Sequence, residues 1–491
     1  MGMFAGYSSG LSFDELIDAS GQPRPYAKVL VDAINDLGPA EFERRQALAD
    51  LSFVQSGVTF TVYSDSRGTE KTFPFDLIPR LVPGSEWSTI EAGLAQRLTA
   101  LNLFLHDVYH EQKVLKDGII PREIVIAAAH FRPEFIGADP PGGVYVHIAG
   151  SDLIRSPDGS WQVLEDNLRT PSGVSYMLEN RAVLTRIVPD IFRNQSVRPI
   201  HHYAAQLIAN LRALAPDGRD NPNVVILTPG SFNSAYFEHA YLAQQLGVPL
   251  VEGRDLVVAD NIVYMKTTHG LQRVDVIYRR IDDDFLDPLT FRPDSVLGCP
   301  GIVNAYRGGN VALANSIGTG VADDKVVYAY VPELIRYYLD QEPIIGNVET
   351  FLPWRPVDLE YIIDNIGNLV VKAANESGGY GMLIGPKSTL AEQADFADKV
   401  RANPRNYIAQ PLIELSTAPT YVNGDVDSRH VDLRPFALYG RDGRTTIVPG
   451  GLTRVALTKG SYVVNSSQGG GSKDTWVVDT DATSEVPNAI A

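Results

Sequence analysis

One cysteine, Cys299, stands in a chain of 491 residues. A single thiol forms no internal disulfide, so the sequence reads as a protein of a reducing compartment. Cys299 is then either a catalytic thiol or a buried structural residue. Positive charge is also scarce: 42 Lys and Arg stand against 59 Asp and Glu, a net charge of −17. Phosphate backbones need basic faces, so a nucleic-acid partner is not expected, and an anionic ligand must find a local basic pocket. No run of about 18 apolar residues occurs, so no membrane span is expected. Met1 to Leu11 has neither a basic start nor a long apolar stretch. No signal peptide is therefore expected, and the location expected is cytoplasmic. Two nucleotide signatures are missing too. No G-x-x-x-x-G-K-[ST] loop is present, and no G-x-G-x-x-G opens a helix.

What is present suits a globular enzyme. Hydrophobic residues make up 44% and charged residues 21% of a chain long enough for about three domains. Residues 1–115 read as mainly helical, with Leu94, Leu98, Leu101, Leu105 and Val108 at amphipathic spacing. Residues 116–215 open with two expected strands, Ile124–Ala127 and Val144–Ile148, and close with a helix over Met177–Ile187. Residues 216–315 form an α/β unit: strand Val224–Leu227, helix Ala235–Leu246, strand Val248–Val251. That order implies a parallel sheet. Residues 316–480 are strand-rich with glycine turns, and 481–491 reads as a disordered tail.

Lys372 ends the buried strand Leu369-Val370-Val371 and is followed by Ser377-Gly378-Gly379-Tyr380-Gly381-Met382. A cation on a rigid strand beside an N–H-rich glycine loop suits nucleotide phosphates, because no Cβ keeps the backbone away from the anion. The alternative is an ordinary strand–turn–strand hairpin.

A second constellation runs from Gly150 to Asn167. Asp158-Gly159 lies between two β-like runs and signals a two-residue turn. Counting outward, Pro157 faces Ser160 and Asp152 faces Glu165, with Cβ atoms roughly 5 Å apart. Two carboxylates so close repel unless a cation lies between them. Asn167 points to the same face as Glu165, and Asp166 to the opposite one. Asp152, Glu165 and Asn167 form a hard oxygen set suited to Mg²⁺.

These motifs resemble those of ATP-grasp ligases. Asp152 followed by Glu165-x-Asn167 is similar to the metal signature of that family, and Thr170-Pro171-Ser172-Gly173 to its continuation in glutathionylspermidine synthetase-like members. Lys372 with its glycine loop resembles the phosphate-covering hairpin, Lys325 a first ATP-binding lysine, and Arg434 a strand arginine that reaches phosphate. Tyr407 to Ile413 resembles the strand and linker that hold adenine. The metal hairpin precedes the lysines by about two hundred residues, the reverse of the usual order. The chain is therefore identified as resembling the circularly permuted ATP-grasp ligases of the glutathionylspermidine synthase-like kind, over most of residues 30–480.

The resemblance implies an α/β fold: a circularly permuted ATP-grasp with a Rossmann-like pre-ATP-grasp unit at 216–315 and a helical N-terminal region. Residues 116–215 become its metal-binding half and 316–480 its ATP-binding lobe. It implies ATP and Mg²⁺, a small-molecule or peptide carboxylate as substrate, and an amine or thiol as acceptor. Lys325, Lys372, Ser377–Gly381, Gln410, Pro411 and Leu412 would hold the nucleotide. Arg434 and Lys372 would act at the phosphates, and Thr170, Ser172, Arg279 and Arg280 at the substrate. Arg279-Arg280 has a second reading, a salt bridge to Asp282-Asp283-Asp284. The loop Ser466–Lys473 borders the phosphates or is a surface turn. His201-His202 reads as structural. The family arginine two residues before the metal aspartate is Gly150 here, with Arg155 or Arg169 as stand-ins. That departure leaves two further readings beside a ligase: a non-catalytic nucleotide-binding partner, and a phosphotransferase on the same scaffold.

Overall fold

The computed structural model describes residues 2–10, 12–61, 70–216, 218–374, 381–464 and 470–479. Ser377, Gly378, Gly379 and Tyr380 of the glycine turn, Ser466 to Gly469, and the 481–491 tail lie outside them.

Alternation of side chains on long apolar strands builds the centre of the molecule. Its eight-stranded sheet runs in the order Gly346–Asn347, Trp161–Asn167, Ile148–Arg155, Asp425–Tyr439, Thr445–Val455, Gly471–Val478, Phe75–Pro83, with Thr417–Val422 added beside Asp425–Tyr439. In Gly471–Val478, Val477 joins one hydrophobic core, while Trp476 and Val478 join the other. Successive strand side chains point to opposite faces, so each face needs its own cover. The helix Gly84–Tyr109 contributes Trp87, Leu94, Leu98, Leu101 and Leu105 to the first core. The helices Lys28–Gln55 and Val174–Ile187 line the second. The sheet's first strand in the chain, Phe75–Pro83, pairs in parallel with its last, Gly471–Val478.

The α/β unit forms as read. Val224–Leu227, Leu250–Val251, Val276–Arg279 and Ala312–Ala314 make a four-stranded parallel sheet. The helix Tyr236–Leu246 crosses over between the first two strands and stops at Gly247, whose φ of 64° is the left-handed cap that glycine permits.

A third, smaller unit carries Lys372. The strands Met382–Ile384, Leu369–Ala373 and Tyr407–Pro411 lie under the helices Pro356–Asn365 and Leu390–Ala402, around Ile362, Leu369, Val371, Leu383, Val400 and Ala409. The segment 346–351 ties this unit to the large sheet. Asn347 pairs with Val163, and Phe351 exchanges two backbone hydrogen bonds with Ala409.

Two expected strands are corrected. Ile124–Ile126 lies in a short helix, Arg122–Ile126, and Ala127 follows as its cap. Pro121 before the helix and Glu123 in its first turn are helix-start signals that a four-residue apolar run conceals. Val144–Ile148 is extended but joins the sheet only at Ile148. The Asn102 amide oxygen takes the N–H groups of Tyr145 and Val146, and the Asn315 amide oxygen those of His147 and Ile148. Side-chain amides there do the work of a neighbouring strand. The boundaries at 115 and 315 also cut across the large sheet, which takes strands from 75–83, 148–167, 346–347 and 417–478.

Candidate active site

The hairpin Ile148–Arg155/Trp161–Asn167 places Asp152 opposite Glu165, Ser151 opposite Asp166 and Gly150 opposite Asn167. The turn differs from a two-residue one. Ser156 N–H donates to the Ser160 carbonyl at 2.9 Å, so Pro157, Asp158 and Gly159 form the loop. Gly159 takes φ 86°, and the Asp158 carboxylate accepts from Ser160 N–H and Oγ at 2.9 and 2.7 Å. Pro157 therefore does not face Ser160. The ladder starts one residue off the expected register, with Leu153 opposite Val163. A bulge at Leu164 restores it at Asp152 and Glu165.

The cations beside Asp152 come from the protein. Arg434 Nε and Nη2 donate to the two Asp152 oxygens at 2.5 and 2.8 Å, and Arg454 Nη2 donates to Oδ2 at 2.6 Å. Arg454 also forks onto Asp432, its cross-strand neighbour. Asp152 is buried, which disfavours its charge, but the two arginines hold its carboxyl well below the usual range. The Arg434 stem lies over Gly150. A Cβ there would meet Arg434 Cδ at 3.3 Å and Cγ at 3.4 Å. Arg434 therefore fills the space above Gly150. Neither expected stand-in is available, since Arg155 pairs with Glu15 and Glu86, and Arg169 with Asp323 and Asp282.

Glu165 is more open, and its neighbouring cations are Arg434 Nη2 at 3.8 Å and Lys325 Nζ at 3.9 Å. Local chemistry sets Lys325. Asp323 accepts from Leu168 N–H and Arg169 Nε, holding the exit of the Glu165 strand. Asp324 caps the short helix Lys325–Tyr328. The Lys325 N–H then donates to the Ala374 carbonyl, two residues beyond Lys372. Lys372 Nζ donates to Gln410 Oε1 at 2.7 Å, and Gln410 Nε2 to Thr350 Oγ1 at 3.0 Å. Burial, and to a lesser degree Lys325, pushes the Lys372 ammonium down to about 8, against the pull of Glu165 and Asp152. The two lysines and two carboxylates, drawn from units far apart in sequence, thus share one electrostatic site.

The donors fit a magnesium-class ion. Glu165 is part-exposed, and the buried Asn167 amide nitrogen has no hydrogen-bond partner. Turning that amide exchanges nitrogen for oxygen in the same place. Asp152 is already committed to its arginines.

The remaining expectations divide. Gln410 is buried, and Pro411 and Leu412 follow it at the end of the Tyr407–Pro411 strand. Gly381 sits at φ 63° and accepts from Ala373 N–H at 3.2 Å. Thr170 and Ser172 lie half-buried in the turn after Asn167, and Arg434 Nη1 donates to the Ser172 carbonyl at 3.2 Å. Arg279 and Arg280 do not present a clamp. Arg279 donates to the carbonyls of Asn315, Ile281 and Ser316 and pairs with Asp283; Arg280 donates to the Pro171 carbonyl, Tyr278 Oη and Glu238. Glu238 also accepts from Gly173 N–H, Ser175 N–H and Ser175 Oγ. Arg280 therefore braces the turn behind the hairpin. Lys473 is buried, bonded to Asp76 and to the Ile78 and Pro419 carbonyls. Burial pushes the Cys299 thiol up to about 11, which removes it as a nucleophile near neutral pH.

Sequence reasoning missed Arg454 and Asp432. For Asp432 the signal was present, since it alternates with Arg434 around Leu433; Arg454 is the lone charge of the strand Thr445–Val455 and carried no such pattern.

Asp152 and Glu165 on the large sheet and Lys372 on the three-stranded unit thus meet, with Lys325 and Arg434, in one mixed-charge site. A family description, circularly permuted ATP-grasp type 2, matches residues 79–456, and the chain belongs to that family. It is 56% identical to an uncharacterized protein of Synechocystis sp. PCC 6803, over 96% of this chain and 98% of that one. It is 50% identical to an uncharacterized protein of Mycobacterium tuberculosis, over 97% and 86%. A Frankia casuarinae protein whose name marks it as a candidate glutamate–cysteine ligase is 40% identical over 95% of this chain but only 53% of its own length. Among solved structures, a glutathione synthetase-like effector of Globodera pallida in apo form matches with a TM-score of 0.59 and 13% identity, over 90% of this chain and 98% of that one. That likeness concerns the fold alone.

Proposed function

We propose that this chain is an ATP- and Mg²⁺-dependent ligase that activates a carboxylate as an acyl-phosphate for capture by an amine or a thiol. One observation carries the reading. In a chain of the ATP-grasp family, Glu165, Arg434, Lys325 and Lys372 come together from two separate lobes.

Lys325, Lys372 and Arg434 neutralise the phosphates, and Gln410, Pro411 and Leu412 border the adenine. Glu165 and Asn167 would hold the metal, with Asp152 behind them. Mg²⁺, when bound, supplies charge neutralisation on the phosphate oxygens. A carboxylate oxygen of the substrate attacks the γ-phosphorus, and the bond to the departing ADP breaks. The amine or thiol then attacks the acyl carbon and expels phosphate, losing its proton. The protein acts chiefly by position and charge. Thr170 and Ser172 border the acid.

The test is release of ADP and phosphate from Mg-ATP with candidate acid–amine pairs. The set includes glutamate with cysteine, suggested by the name of the longer Frankia relative. Glu165→Gln should lower turnover by about 100-fold. A stable phosphorylated acid without amide would indicate a phosphotransferase, and ATP binding without any product a nucleotide-binding subunit.

A further inference from the structure

The C-terminal end of the helix Gly84–Tyr109 carries a side-chain cluster that the ligase reading does not use. His106 and His110 lie one turn apart on one helix face. Their rings stack, with centroids 4.3 Å apart and planes within 9°. Asp139, from the turn before the Asp152 strand, completes the group. Its Oδ1 is 2.9 Å from His110 Nε2. One ligand atom from each of the three residues lies within 4.8 Å of the other two.

Hydrogen bonding fixes the His110 tautomer. Its Nδ1 is 2.8 Å from the His106 carbonyl oxygen, which only accepts, so Nδ1 carries the proton. That bond satisfies one of the four carbonyls a helix end leaves unpaired. The Asp107, Val108 and Tyr109 carbonyls are taken by the His110, Gln112 and Gly137 N–H groups and by Gln112 Nε2. A neutral His110 therefore turns an Nε2 lone pair toward a carboxylate oxygen. Two lone pairs at 2.9 Å repel, so a positive charge belongs between them. Either a proton or a metal ion supplies it.

The second imidazole distinguishes the two. Among the described residues, neither His106 ring nitrogen has a hydrogen-bond partner. His106 is exposed, and one of its ring nitrogens lies within 4.8 Å of the ligand atoms of His110 and Asp139, so it offers a third donor to the same point. A bridging proton needs two acceptors; a third donor is the mark of metal coordination. The negative end of the helix and the nearby Asp107 and Glu111 favour a cation. Two imidazoles and one carboxylate suit a borderline dication rather than the hard ions that prefer oxygen.

We propose that His106, His110 and Asp139 bind a zinc-class dication at the surface, joining the end of the helix to the Asp139 turn. Three protein ligands leave one position for water. The site is independent of the nucleotide cleft.

Titration calorimetry of the intact, chelator-treated chain with zinc chloride tests this. One zinc should bind per chain, unaffected by millimolar magnesium, and should raise the Tm. His106→Ala and Asp139→Asn should each weaken binding at least tenfold. Neither change removes the His110 bond to the helix end, so the metal-free variants should unfold like the metal-free parent. Absence of zinc binding overturns the proposal in favour of a plain imidazolium–carboxylate pair. Equal binding by His106→Ala overturns it in favour of adventitious surface binding.

Discussion

Lys372 carries its charge at a cost. Burial lowers its folded-state value to about 8, against about 10.4 for a lysine in an unfolded chain. Between these values the unfolded chain binds the extra proton, so this residue's contribution to stability rises with pH across that window. On the proposed reading, phosphates beside the ammonium would reverse the preference and favour the proton. Nucleotide affinity should therefore fall as pH rises through 8, approaching tenfold per unit above it. Lys372→Arg, whose charge persists, should flatten the profile. Calorimetry at pH 8.5 in buffers of different ionisation enthalpy should detect proton uptake in the parent alone.

At the scale of elements, the hairpin brings its carboxylates together through two offsets that cancel. Turn chemistry made the pairing of Asp152 with Glu165 legible, although a three-residue loop and a bulge replace the simple turn. Gly159→Ala forces a side chain into φ 86° and toward Phe13, with a contact of 3.2 Å. The left-handed strain alone should cost about 1–2 kcal/mol, readable as a lower midpoint in urea. Asp166 points to the other face as expected, but it is not silent. Arg97 donates to both its oxygens, and both side chains are buried. Asp166→Ala leaves Arg97 without its counter-charge and should cost roughly 3–5 kcal/mol. Loss of activity in that variant must be read beside its unfolding curve, because it mixes stability with catalysis. The Asp432, Arg434, Arg454 lattice was less legible. Alternating charges are visible in sequence, but the strand partner that makes Asp152 their shared target is not.

The whole molecule adds a pH limit of its own. Asp152, Glu15 and Asp283 are buried, and arginines hold each below the ordinary carboxylate value. Such groups contribute stability above the unfolded value of about 4, and lose it as pH falls through their lower folded values. Asp14, raised to about 6 chiefly by burial, works in the opposite sense; its contribution is present below about 4 and fades as pH rises through 6. The Tm should therefore fall steeply below pH 4. A Tm unchanged from pH 5 to 3 would refute this. On the proposed reading, nucleotide at a hundredfold excess over Kd should stabilise the native state by about 2.7 kcal/mol, as any ligand of the folded chain alone does.

Local rules let the sequence determine the facing acids, the βαβ order and the lysine on its buried strand. Each depends on turn residues and side-chain period, which act over a few positions. Tertiary structure decided which charges are free. Arg279 and Arg280 resemble a substrate clamp in one dimension, yet carbonyls from distant loops consume their donors. Arg434 lies 282 residues from Asp152 and reaches it only because two strands share a ladder. A charge's role depends on its partners in space, and a buried ion pair has its partners wherever the sheet brings them.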